Sequence, residues 1–515
     1  MEIPELTKLK SLLTGTAQRC GPKTAIAIGR RQVTFTQLEM NSNRVARALI
    51  EMGVKKGERV ATIQTSNPEF VSIFFGIMKV GGIAVPLDAR YVPDELTILF
   101  NDCRPRVLVV EDPPLASLLP ALPRFKSIKH IITVNTEHDH QFMNYRDILT
   151  KNPPENIDMP VDPEDIAVIS YTGGPTLEPH GVALSHRSIC TEVVNSAATM
   201  AQTEKDVMVQ FALPMYHQFG LTAVMLSSLY IGNKLVVVPG TGRSIDSFME
   251  AVTREKGTIY CGVPYIYSLM TNVARREGIR YDLSSMRLWV SGGAPLEPAV
   301  IRLFKQFCGF NIIDVYGQTE TVCHITMMPM DGSGPIGSSG KALPCWEIKI
   351  FDENDRELPR GEEGEIVTRG PVMSGFYRKP EATTRIIRNG WLHTGDIGKM
   401  DENAFLYITG RKRRMLILKG QNIFPADIEK ALCAHPGIAE AKVMGIIDLV
   451  RGETVKALVK LKPGAAVTEQ EIRHYCQGRL ADYKLPREIE FVETMPVEIP
   501  LWRRPASTAI ADLTL

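Results

Sequence analysis

A Gly- and Thr-rich stretch behind an apolar segment is the first place where this sequence suggests chemistry. The stretch from Tyr171 to His186, YTGGPTLEPHGVALSH, begins at the end of the apolar run IAVISY. Such a loop can surround phosphate oxygens with backbone N–H groups, because glycine lets the backbone approach closely. Taken alone, the pattern is better interpreted as an ordinary Gly/Pro turn.

Further polar motifs follow in order along the chain. SGGAPL begins at Ser291, DVYGQTE begins at Asp314, LHTGDIG contains Asp396, and ITGRKRR contains Arg411. Each alone is a common string of turn and polar residues, and an exposed turn with an ion pair would account for Asp396 and Arg411. Their occurrence together, in this order and at this spacing, is not common.

Short apolar runs alternating with helical patterns must position these motifs. The predicted strands include RVATIQ, IAVPLD, RVLVVE, IAVISY, VMVQFALP, KLVVVPG, GTIYCGVP and MRLWVSGG. This alternation predicts an α/β fold whose large N-terminal domain has two parallel-rich sheets layered with helices. Within the first helical pattern, residues 33–55, Thr36 and Glu39 predict a capping box at the helix start.

The character of the sequence changes after about residue 325. A Gly-rich segment with many short strand signals predicts a small β-subdomain over about residues 325–410. A basic cluster then precedes a compact region with the pattern helix, strand, strand, helix, strand, predicted at 426–434, 440–446, 454–462, 469–480 and 488–493. We therefore predict an N-terminal domain of residues 1–412 and a small, mobile C-terminal α+β domain of residues 413–515.

Composition excludes several classes of protein. The 515 residues include 59 Lys and Arg against 58 Asp and Glu, which argues against a nucleic-acid binder. The nine cysteines form no CxxC pair and no HExxH motif occurs, so a disulfide framework or zinc site is not expected. The most apolar stretch is interrupted by Lys79 and Pro86, which predicts a buried helix and strand instead of a membrane span. The N-terminus lacks a secretory pattern, so a cytoplasmic location is expected.

Together the motifs resemble the adenylate-forming superfamily of acyl-CoA synthetases, aryl-CoA ligases, luciferases and peptide-synthetase adenylation domains. The resemblance covers nearly the whole chain, through VTFTQL, LPMYHQFG, VPYIYSLM, SGGAPL, DVYGQTE, GEIVTRGPVMSGFYRKPEAT, GWLHTGDIG, GQNIFPADIE and ADYKLPREIEFVETMP. It implies that a carboxylate attacks the α-phosphate of ATP and releases pyrophosphate, and that coenzyme A then captures the acyl-adenylate. The expected partner is a small carboxylic acid, since the motifs are most similar to the medium/long-chain and aryl acid branches.

The resemblance also implies a role for each motif residue. Thr319 would contact the α-phosphate, and Glu320 would help to hold Mg²⁺ through a hard oxygen ligand. Asp396 and Arg411 would bind the ribose, and His217 matches a position near the acyl pocket. The remaining positions implied to surround the nucleotide are Gly292, Gly293, Ala294, Asp314, Tyr316 and Gly317.

The phosphate loop departs from the family pattern T-S-G-T-T-G-x-P-K-G-V. In the matching span TGGPTLEPHGV, Gly173 replaces the serine, Pro175 a threonine, Leu177 a glycine and His180 the lysine. Each lost hydroxyl is a lost donor to phosphate, and His180 supplies positive charge only when it is protonated. The loop residues that remain as nucleotide-binding candidates are Thr172, Gly174 and Thr176.

The C-terminal tail departs as well. The family has a lysine here that bridges the carboxylate and the α-phosphate during adenylation, and the matching stretch MPVEIPLWRRPAS has Trp502 in its place. Lys484 is the last lysine of the chain, which leaves Arg503 or Arg504 as substitute cations. Arg413 matches the hinge about which the C-terminal domain would rotate between the two half-reactions.

These departures leave two hypotheses open. The first is a working carboxylate–CoA ligase in which His180 or an arginine of the tail supplies the missing positive charge. The second is a non-catalytic or half-catalytic relative that binds a nucleotide or acyl ligand. The first is favoured, because drift in an unused site should also have eroded the motifs around Glu320, Asp396 and Arg411. Nothing in the sequence indicates an oligomeric interface.

Overall fold

The computed structural model describes residues 5–112, 114–135, 142–171, 179–240, 245–278, 280–412, 416–418, 421–448, 452–496 and 502–503. Strands and helices alternate through most of this length. The strands up to residue 171 are β1 (Thr24–Ile28), β2 (Arg31–Thr34), β3 (Arg59–Ile63), β4 (Ile83–Leu87), β5 (Val107–Glu111), β6 (His130–Val134), β7 (Met143–Asn144) and β8 (Ile166–Tyr171). The helices between them are α1 (Leu9–Cys20), α2 (Phe35–Glu51), α3 (Pro68–Lys79), α4 (Pro93–Cys103), α5 (Pro114–Leu118), a 3₁₀ turn (Leu119–Arg124) and α6 (Tyr145–Lys151).

The middle of the chain continues the alternation. Its strands are β9 (Gly181–Ser185), β10 (Val207–Gln210), β11 (Lys234–Val237), β12 (Ile259–Gly262), β13 (Leu288–Ser291), β14 (Ile313–Gly317), β15 (His324–Met327) and β16 (Lys341–Ala342). Its helices are α7 (His186–Thr199), a π-helical segment (Phe219–Leu226), α8 (Ser227–Ile231), α9 (Ile245–Glu255), α10 (Pro264–Glu277), α11 (Pro298–Cys308) and a 3₁₀ turn (Thr319–Thr321).

The last part of the chain is rich in short strands. They are β17 (Glu347–Phe351), β18 (Gly364–Arg369), β19 (Gly375–Phe376), β20 (Ile387–Arg388), β21 (Trp391–Met400), β22 (Leu406–Arg411), β23 (Leu416–Leu418), β24 (Gln421–Ile423), β25 (Ile438–Asp448), β26 (Gly452–Leu461), β27 (Glu488–Phe491) and β28 (Trp502–Arg503). The helices are α12 (Pro380–Ile386), α13 (Pro425–Cys433), α14 (Glu469–Cys476) and a 3₁₀ turn (Asp482–Lys484).

Two large sheets form the body of the molecule. One has nine strands in the order β16-β15-β14-β13-β12-β10-β11-β1-β2, and the other has eight in the order β19-β9-β8-β4-β3-β5-β6-β7. The central pairs are parallel in both sheets, while β2, β15, β16, β9 and β19 pair antiparallel at the ends. The predicted α/β fold with two parallel-rich sheets is confirmed.

The start of α2 differs from its prediction. The helix begins at Phe35, and the capping box is made by Thr34 and Gln37 instead of Thr36 and Glu39. Phe35 is fully buried, so the helix must start early enough to place this ring in the core. Glu39 instead accepts a hydrogen bond from the buried Lys79.

The segment predicted as a small β-subdomain, about residues 325–410, divides between two sheets. β15 and β16 complete the nine-stranded sheet, because β15 pairs antiparallel with β14. The antiparallel five-stranded sheet of β17, β18, β20, β21 and β22 begins only at Glu347. The strand signals after residue 325 are therefore correct, but β15 and β16 pair within the nine-stranded sheet and not with the strands that follow them.

The C-terminal elements build their own hydrophobic core. β27, β26, β25 and β28 form a four-stranded sheet, and buried side chains of α13 and α14 pack into a separate apolar cluster with it. α14 ends at Cys476, earlier than predicted, because Gln477 is extended. The hairpin of β23 and β24 and the short β28 were not predicted. No helix among the described residues is long and apolar enough to cross a membrane.

Candidate active site

A cleft of about 560 Å³ brings together most of the residues that the sequence singled out. Those lining it are His217, Gly293, Ala294, Asp314, Tyr316, Gly317, Thr319, Glu320, Asp396 and Arg411. SGGAPL follows the carboxyl end of β13 and DVYGQTE runs from β14 into the 3₁₀ turn, so both open at the same edge of the parallel sheet. Ligands bind at this edge in open α/β sheets.

Asp396 is held by side chains from two other motifs. Its Oδ2 accepts hydrogen bonds from Tyr316 Oη at 2.7 Å and Gln318 Nε2 at 3.0 Å, and Arg411 Nε lies 2.9 Å from its Oδ1. β21 and β22 place Asp396 directly opposite Arg411. Arg411 Nη1 is buried and has no hydrogen-bond partner among the described residues, so one donor of the pair remains for a ligand. This geometry fits a polyol such as ribose.

The residues predicted to surround the nucleotide differ in exposure from one to the next. Gly293 is in the left-handed region with φ of 76° and lines the cleft, whereas Gly292 packs so closely on Val315 that a Cβ would come within 2.7 Å of its side chain. Asp314 accepts a hydrogen bond from Ser339 at 2.9 Å. Burial raises the pKa of Asp314 to about 8, so this carboxyl group is mostly protonated at neutral pH.

A tight turn connects Thr319 and Glu320 to the deeper part of the cleft. Gly317 cannot carry a side chain, because a Cβ would lie 1.9 Å from the carbonyl oxygen of Cys323. Val322 has φ of 64°, and Cys323 N–H donates to Thr321 O at 2.7 Å, which is a strained three-residue turn. Such strain persists only where the surrounding structure imposes it, and it is concentrated at functional sites.

His217 and the start of the π-helical segment also line the cleft. Burial lowers the pKa of His217 to about 4, so the imidazole is neutral, and its Nδ1 accepts a hydrogen bond from Phe219 N–H at 3.4 Å. Gln218 donates to Ser170 at 2.6 Å, which ties this segment to β8. π-Helical turns are rare and occur often at functional sites.

The remaining predicted residues lie outside this lining. His180 lies beside it, with its ring centroid 4.8 Å from that of Phe376, a cleft residue. The backbone of Arg503 lies in β28, which pairs with β25. The predicted residues that fall outside the described part of the chain are Thr172, Gly174, Thr176, Arg413 and Arg504.

Sequence reasoning missed several polar groups of the cleft. Glu365 accepts hydrogen bonds or ion pairs from His393 at 2.8 Å and Lys412 at 2.9 Å, and Arg388 binds Asp355 at 2.6 Å. These lie in or beside GEIVTRG, GWLHTGDIG and ITGRKRR, so the motifs were noticed but not these members. The other cleft residues that were missed include Gln318, Phe376, Arg385 and Phe424.

Lys484, the last lysine of the chain, pairs with Glu95 outside the cleft. Its Nζ lies 2.7 Å from Glu95 Oε1, and the two residues are only 1% and 4% exposed. The pair joins the 3₁₀ turn after α14 to α4 of the N-terminal body. Lys484 therefore contributes to packing between these regions and does not line the cleft.

Comparison with known proteins agrees with this geometry. The AMP-binding enzyme family model matches residues 13–377, and the AMP-binding enzyme C-terminal domain model matches residues 427–498. The chain is 33% identical to a long-chain-fatty-acid–CoA ligase of Bacillus subtilis (strain 168) over 528 aligned positions, covering 96% of this chain and 93% of that protein. It is 31% identical to a 2-succinylbenzoate–CoA ligase of Bacillus cereus, covering 92% of each.

Solved structures agree as well. A crystal structure of the anthranilate–CoA ligase AuaEII in complex with anthranoyl-AMP matches with a TM-score of 0.76 and 28% identity, covering 97% of this chain and 96% of that one. The matches extend over both the body and the C-terminal region. The chain therefore belongs to the AMP-binding enzyme family of the adenylate-forming superfamily.

Proposed function

We propose that this protein is an AMP-forming carboxylate–CoA ligase. The observation that carries the proposal is the Asp396 cluster, in which residues from DVYGQTE, LHTGDIG and ITGRKRR meet around one carboxylate. A structural ion pair would need only Arg411. Tyr316 and Gln318 hold the carboxylate in one orientation in addition, as expected for a group that must receive two ribose hydroxyls.

The substrates are ATP, coenzyme A and a small carboxylic acid, and the roles follow the cleft. Gly293 and Ala294 face adenine, Asp396 and Arg411 hold the ribose, and Thr319 donates to the α-phosphate. Glu320 offers a hard oxygen ligand for Mg²⁺, which supplies positive charge against the phosphates when it is bound. His217, neutral and buried, stands beside the acid.

The proposal also covers the division into domains, the class of the acid and the cellular location. The chain divides into a body of residues 1–412 and a C-terminal domain of residues 413–515 that turns about Arg413 between the half-reactions. The separate apolar core of the C-terminal elements supports this division. The acid belongs to the medium/long-chain or aryl classes, because the relatives described above are named for acids of these classes. The enzyme works in the cytoplasm.

The test is calorimetry with ATP–Mg²⁺ and with AMP, followed in the same sample by pyrophosphate release with a panel of carboxylic acids. Nucleotide binding with acid-dependent pyrophosphate release is the expected result. Asp396→Asn is the matched variant, since it keeps the side-chain shape and removes the charge that Arg411 binds. Absence of nucleotide binding in the wild type would contradict the proposal.

A half-catalytic relative is the second candidate, and one observation favours it. The last lysine of the chain is buried against Glu95 and cannot replace the lysine that Trp502 displaces. Loss of one charge-stabilising group of this kind costs about 10²–10³ in rate. In this case adenylation is impaired more than thiol capture.

Separating the half-reactions tests the second candidate. A synthetic acyl-adenylate with coenzyme A should then turn over faster than acid, ATP and coenzyme A together. Equal or slower turnover of the acyl-adenylate would exclude selective loss of adenylation. The variant Trp502→Lys is expected to recover only part of the activity, because the altered phosphate loop remains, and full recovery would show that the loop is adequate.

A further inference from the structure

The inner part of the cleft contains a polar cluster that the nucleotide-binding residues do not explain. Cys323 and His324 line the cleft together with the aromatic ring of Phe219. Directly behind them lies Glu192 of α7, which is fully buried. An apolar acid would be served by aliphatic and aromatic side chains alone, so a buried carboxyl and imidazole at this place need another explanation.

The carboxyl group of Glu192 is firmly held. It accepts hydrogen bonds from Trp346 Nε1 at 3.2 Å, Asn195 Nδ2 at 3.3 Å and Ser196 Oγ at 3.3 Å. These donors come from α7 itself and from the segment that leads into β17. The carboxyl group is thereby fixed beside the imidazole of His324, whose Nδ1 lies 3.4 Å from Glu192 Oε1.

The imidazole of His324 is satisfied on one side only. Its Nδ1 faces Glu192 and the thiol of Cys323, which is also 3.4 Å away. Its Nε2 has no hydrogen-bond partner among the described residues, and it is buried, since His324 is only 3% exposed. A buried polar atom without a partner is unfavourable, so a residue that lines a ligand cleft in this way is prepared to bind a ligand group.

The cluster is uncharged near neutral pH. Burial raises the pKa of Glu192 to about 8 and lowers the pKa of His324 to about 4, so the carboxyl group holds its proton and the imidazole is neutral. The carboxyl proton or the thiol proton of Cys323 can then be donated to Nδ1, which leaves Nε2–H as a donor toward the cleft. In the other tautomer Nε2 is an acceptor.

A bound metal is the main competing explanation. One ligand atom each of Glu192, Cys323 and His324 lies within 4.8 Å of the others. A metal would require free lone pairs on the carboxylate, whereas Glu192 already accepts hydrogen bonds from Trp346, Asn195 and Ser196. A neutral hydrogen-bonding cluster explains all of these features with no metal.

We propose that His324, backed by Glu192, selects carboxylic acids that carry a hydroxyl group on the acyl chain or ring. A hydroxyl both donates and accepts, so it satisfies Nε2 in either tautomer. The inference rests on the proposed function, because it assumes that the cleft binds the acyl group of an activated acid. A site built to bind a hydroxyl discriminates strongly against the analogue that lacks it, since the buried partner is then left unpaired.

The position of the hydroxyl group is limited by the turn between Thr319 and His324, which joins the phosphate end of the cleft to its acyl end. Thr319, which faces the phosphate, and His324 are five positions apart in the sequence, a span of at most about 18 Å even when extended. His324 pairs with Gly317 across β14 and β15, so the actual path is folded. Small aromatic and short aliphatic acyl groups that carry the hydroxyl near the carboxyl group are therefore the appropriate probes of this position, whatever the length of the natural acyl chain.

The experiment measures binding of non-reactive acyl-adenylate mimics by calorimetry. The probes are acylsulfamoyl adenosines with benzoyl, each monohydroxybenzoyl isomer, butanoyl and each monohydroxybutanoyl isomer. In the wild type at least one hydroxylated probe should bind at least about tenfold tighter than its plain counterpart. Equal or tighter binding of the plain probe in both series would overturn the inference without any variant.

Variants assign the preference to His324. His324→Leu should reduce the ratio to less than about threefold, while AMP affinity, which reports a folded nucleotide end, is retained. Glu192→Gln should keep the preference, because its amide N–H can donate to Nδ1. The matched control His474→Leu changes an exposed histidine of α14 and should leave the ratio unchanged. An unchanged ratio in His324→Leu would overturn the assignment, as would one equivalent of zinc found in the purified wild type by elemental analysis.

The same acids in the pyrophosphate assay separate this inference from the proposed function. Discrimination between the mimics without pyrophosphate release would support the hydroxyl site and contradict the ligase. Release that is faster with the plain acids would support the ligase and overturn the hydroxyl site. Absence of binding by every mimic would overturn both.

Discussion

The two ends of the cleft satisfy their polar groups in different ways. At the nucleotide end, both oxygens of Asp396 are occupied by Tyr316, Gln318 and Arg411 before any ligand binds. At the acyl end, Glu192 is fully engaged but His324 Nε2 is not. The first arrangement orients a charge that, in the proposed function, recognises a constant group, the ribose. The second leaves a neutral atom unpaired, and this atom can distinguish one acid from another.

The largest expected effect comes from a change in the turn between the two ends of the cleft, because it should disturb both ends. Gly317→Ala would push a methyl group to within 1.9 Å of the Cys323 carbonyl oxygen, and a backbone atom cannot move aside as a side chain can. Overpacking commonly costs about 1–3 kcal/mol and sometimes more, and we expect about 3 kcal/mol or more in urea unfolding. Nucleotide and acyl-adenylate mimic binding should both be lost.

A matched glycine provides the control for this prediction. A Cβ at Gly15 of α1 meets nothing within 4 Å, so Gly15→Ala should leave stability unchanged or slightly raised. If Gly317→Ala were as stable as Gly15→Ala, the turn would not join the two ends rigidly.

Asp396→Asn should affect the nucleotide end alone. It removes the charge from hydrogen bonds worth about 1.5–3 kcal/mol, which corresponds to about 10–100-fold weaker binding of ATP and AMP in calorimetry. The ratio between hydroxylated and plain acyl mimics should not change, because His324 is untouched. A change in that ratio would show that the two ends are coupled.

The free energy of unfolding should depend on pH through Glu192, which lies at the acyl end. Glu192 holds a proton in the folded protein up to a pKa of about 8, while an unfolded glutamate has lost it above about 4.5. The folded state therefore binds more protons in this window, and the free energy of unfolding falls as pH rises, by about 2 kcal/mol between pH 6 and pH 8 for this group. Asp314, with a pKa of about 8, adds a second contribution of the same sign.

Glu192→Gln should remove one of these two contributions. Between pH 6 and pH 8, urea unfolding should then show a decrease that is about 2 kcal/mol smaller than in the wild type, because the buried neutral histidines, which contribute with the opposite sign, are unchanged. The amide keeps the donors of Trp346 and Asn195 within reach, so the fold is retained. A slope equal to that of the wild type would mean that Glu192 is already ionised and that His324 is not beside a neutral carboxyl group.

The smallest effect is expected from Trp346→Phe. This change removes one hydrogen bond to Glu192 at 3.2 Å and keeps most of the aromatic packing. We expect a loss of about 1 kcal/mol in the free energy of unfolding, because the carboxyl group retains two donors. The hydroxyl preference should fall only slightly, and its complete loss would show that Trp346 alone orients the pair.

Local patterns predicted most of the fold. The alternation of apolar runs with helices was sufficient to predict the two large sheets, because a strand of a parallel sheet that is covered on both faces is a nearly continuous apolar run. The start of α2 was misplaced because Thr34 and Thr36 are both good capping residues, and the burial of Phe35 selects the first. The subdomain start was misplaced because the signal for β15 does not reveal its partner, β14.

Membership in a motif was not sufficient to predict which polar residues line the candidate site. Asp396, Arg411, Thr319 and Glu320 were named from the sequence, whereas Glu365 and Lys412 were not, although they lie within or beside the same motifs. Whether a polar side chain in a motif points into the cleft depends on strand register. Register is decided by pairing between segments, which the local sequence does not contain.

By itself, the sequence determined the superfamily, the alternation of strands with helices and the residues that we propose to bind ribose, because these depend on short motifs and local periodicity. The tertiary structure alone decided which distant groups meet. Lys484 pairs with Glu95 across 389 residues, and Trp346 donates to Glu192 across 154 residues. The physical reason is burial: once packing removes water from a polar group, only the groups that the fold brings near it can replace that water, and at His324 one position is left for the substrate.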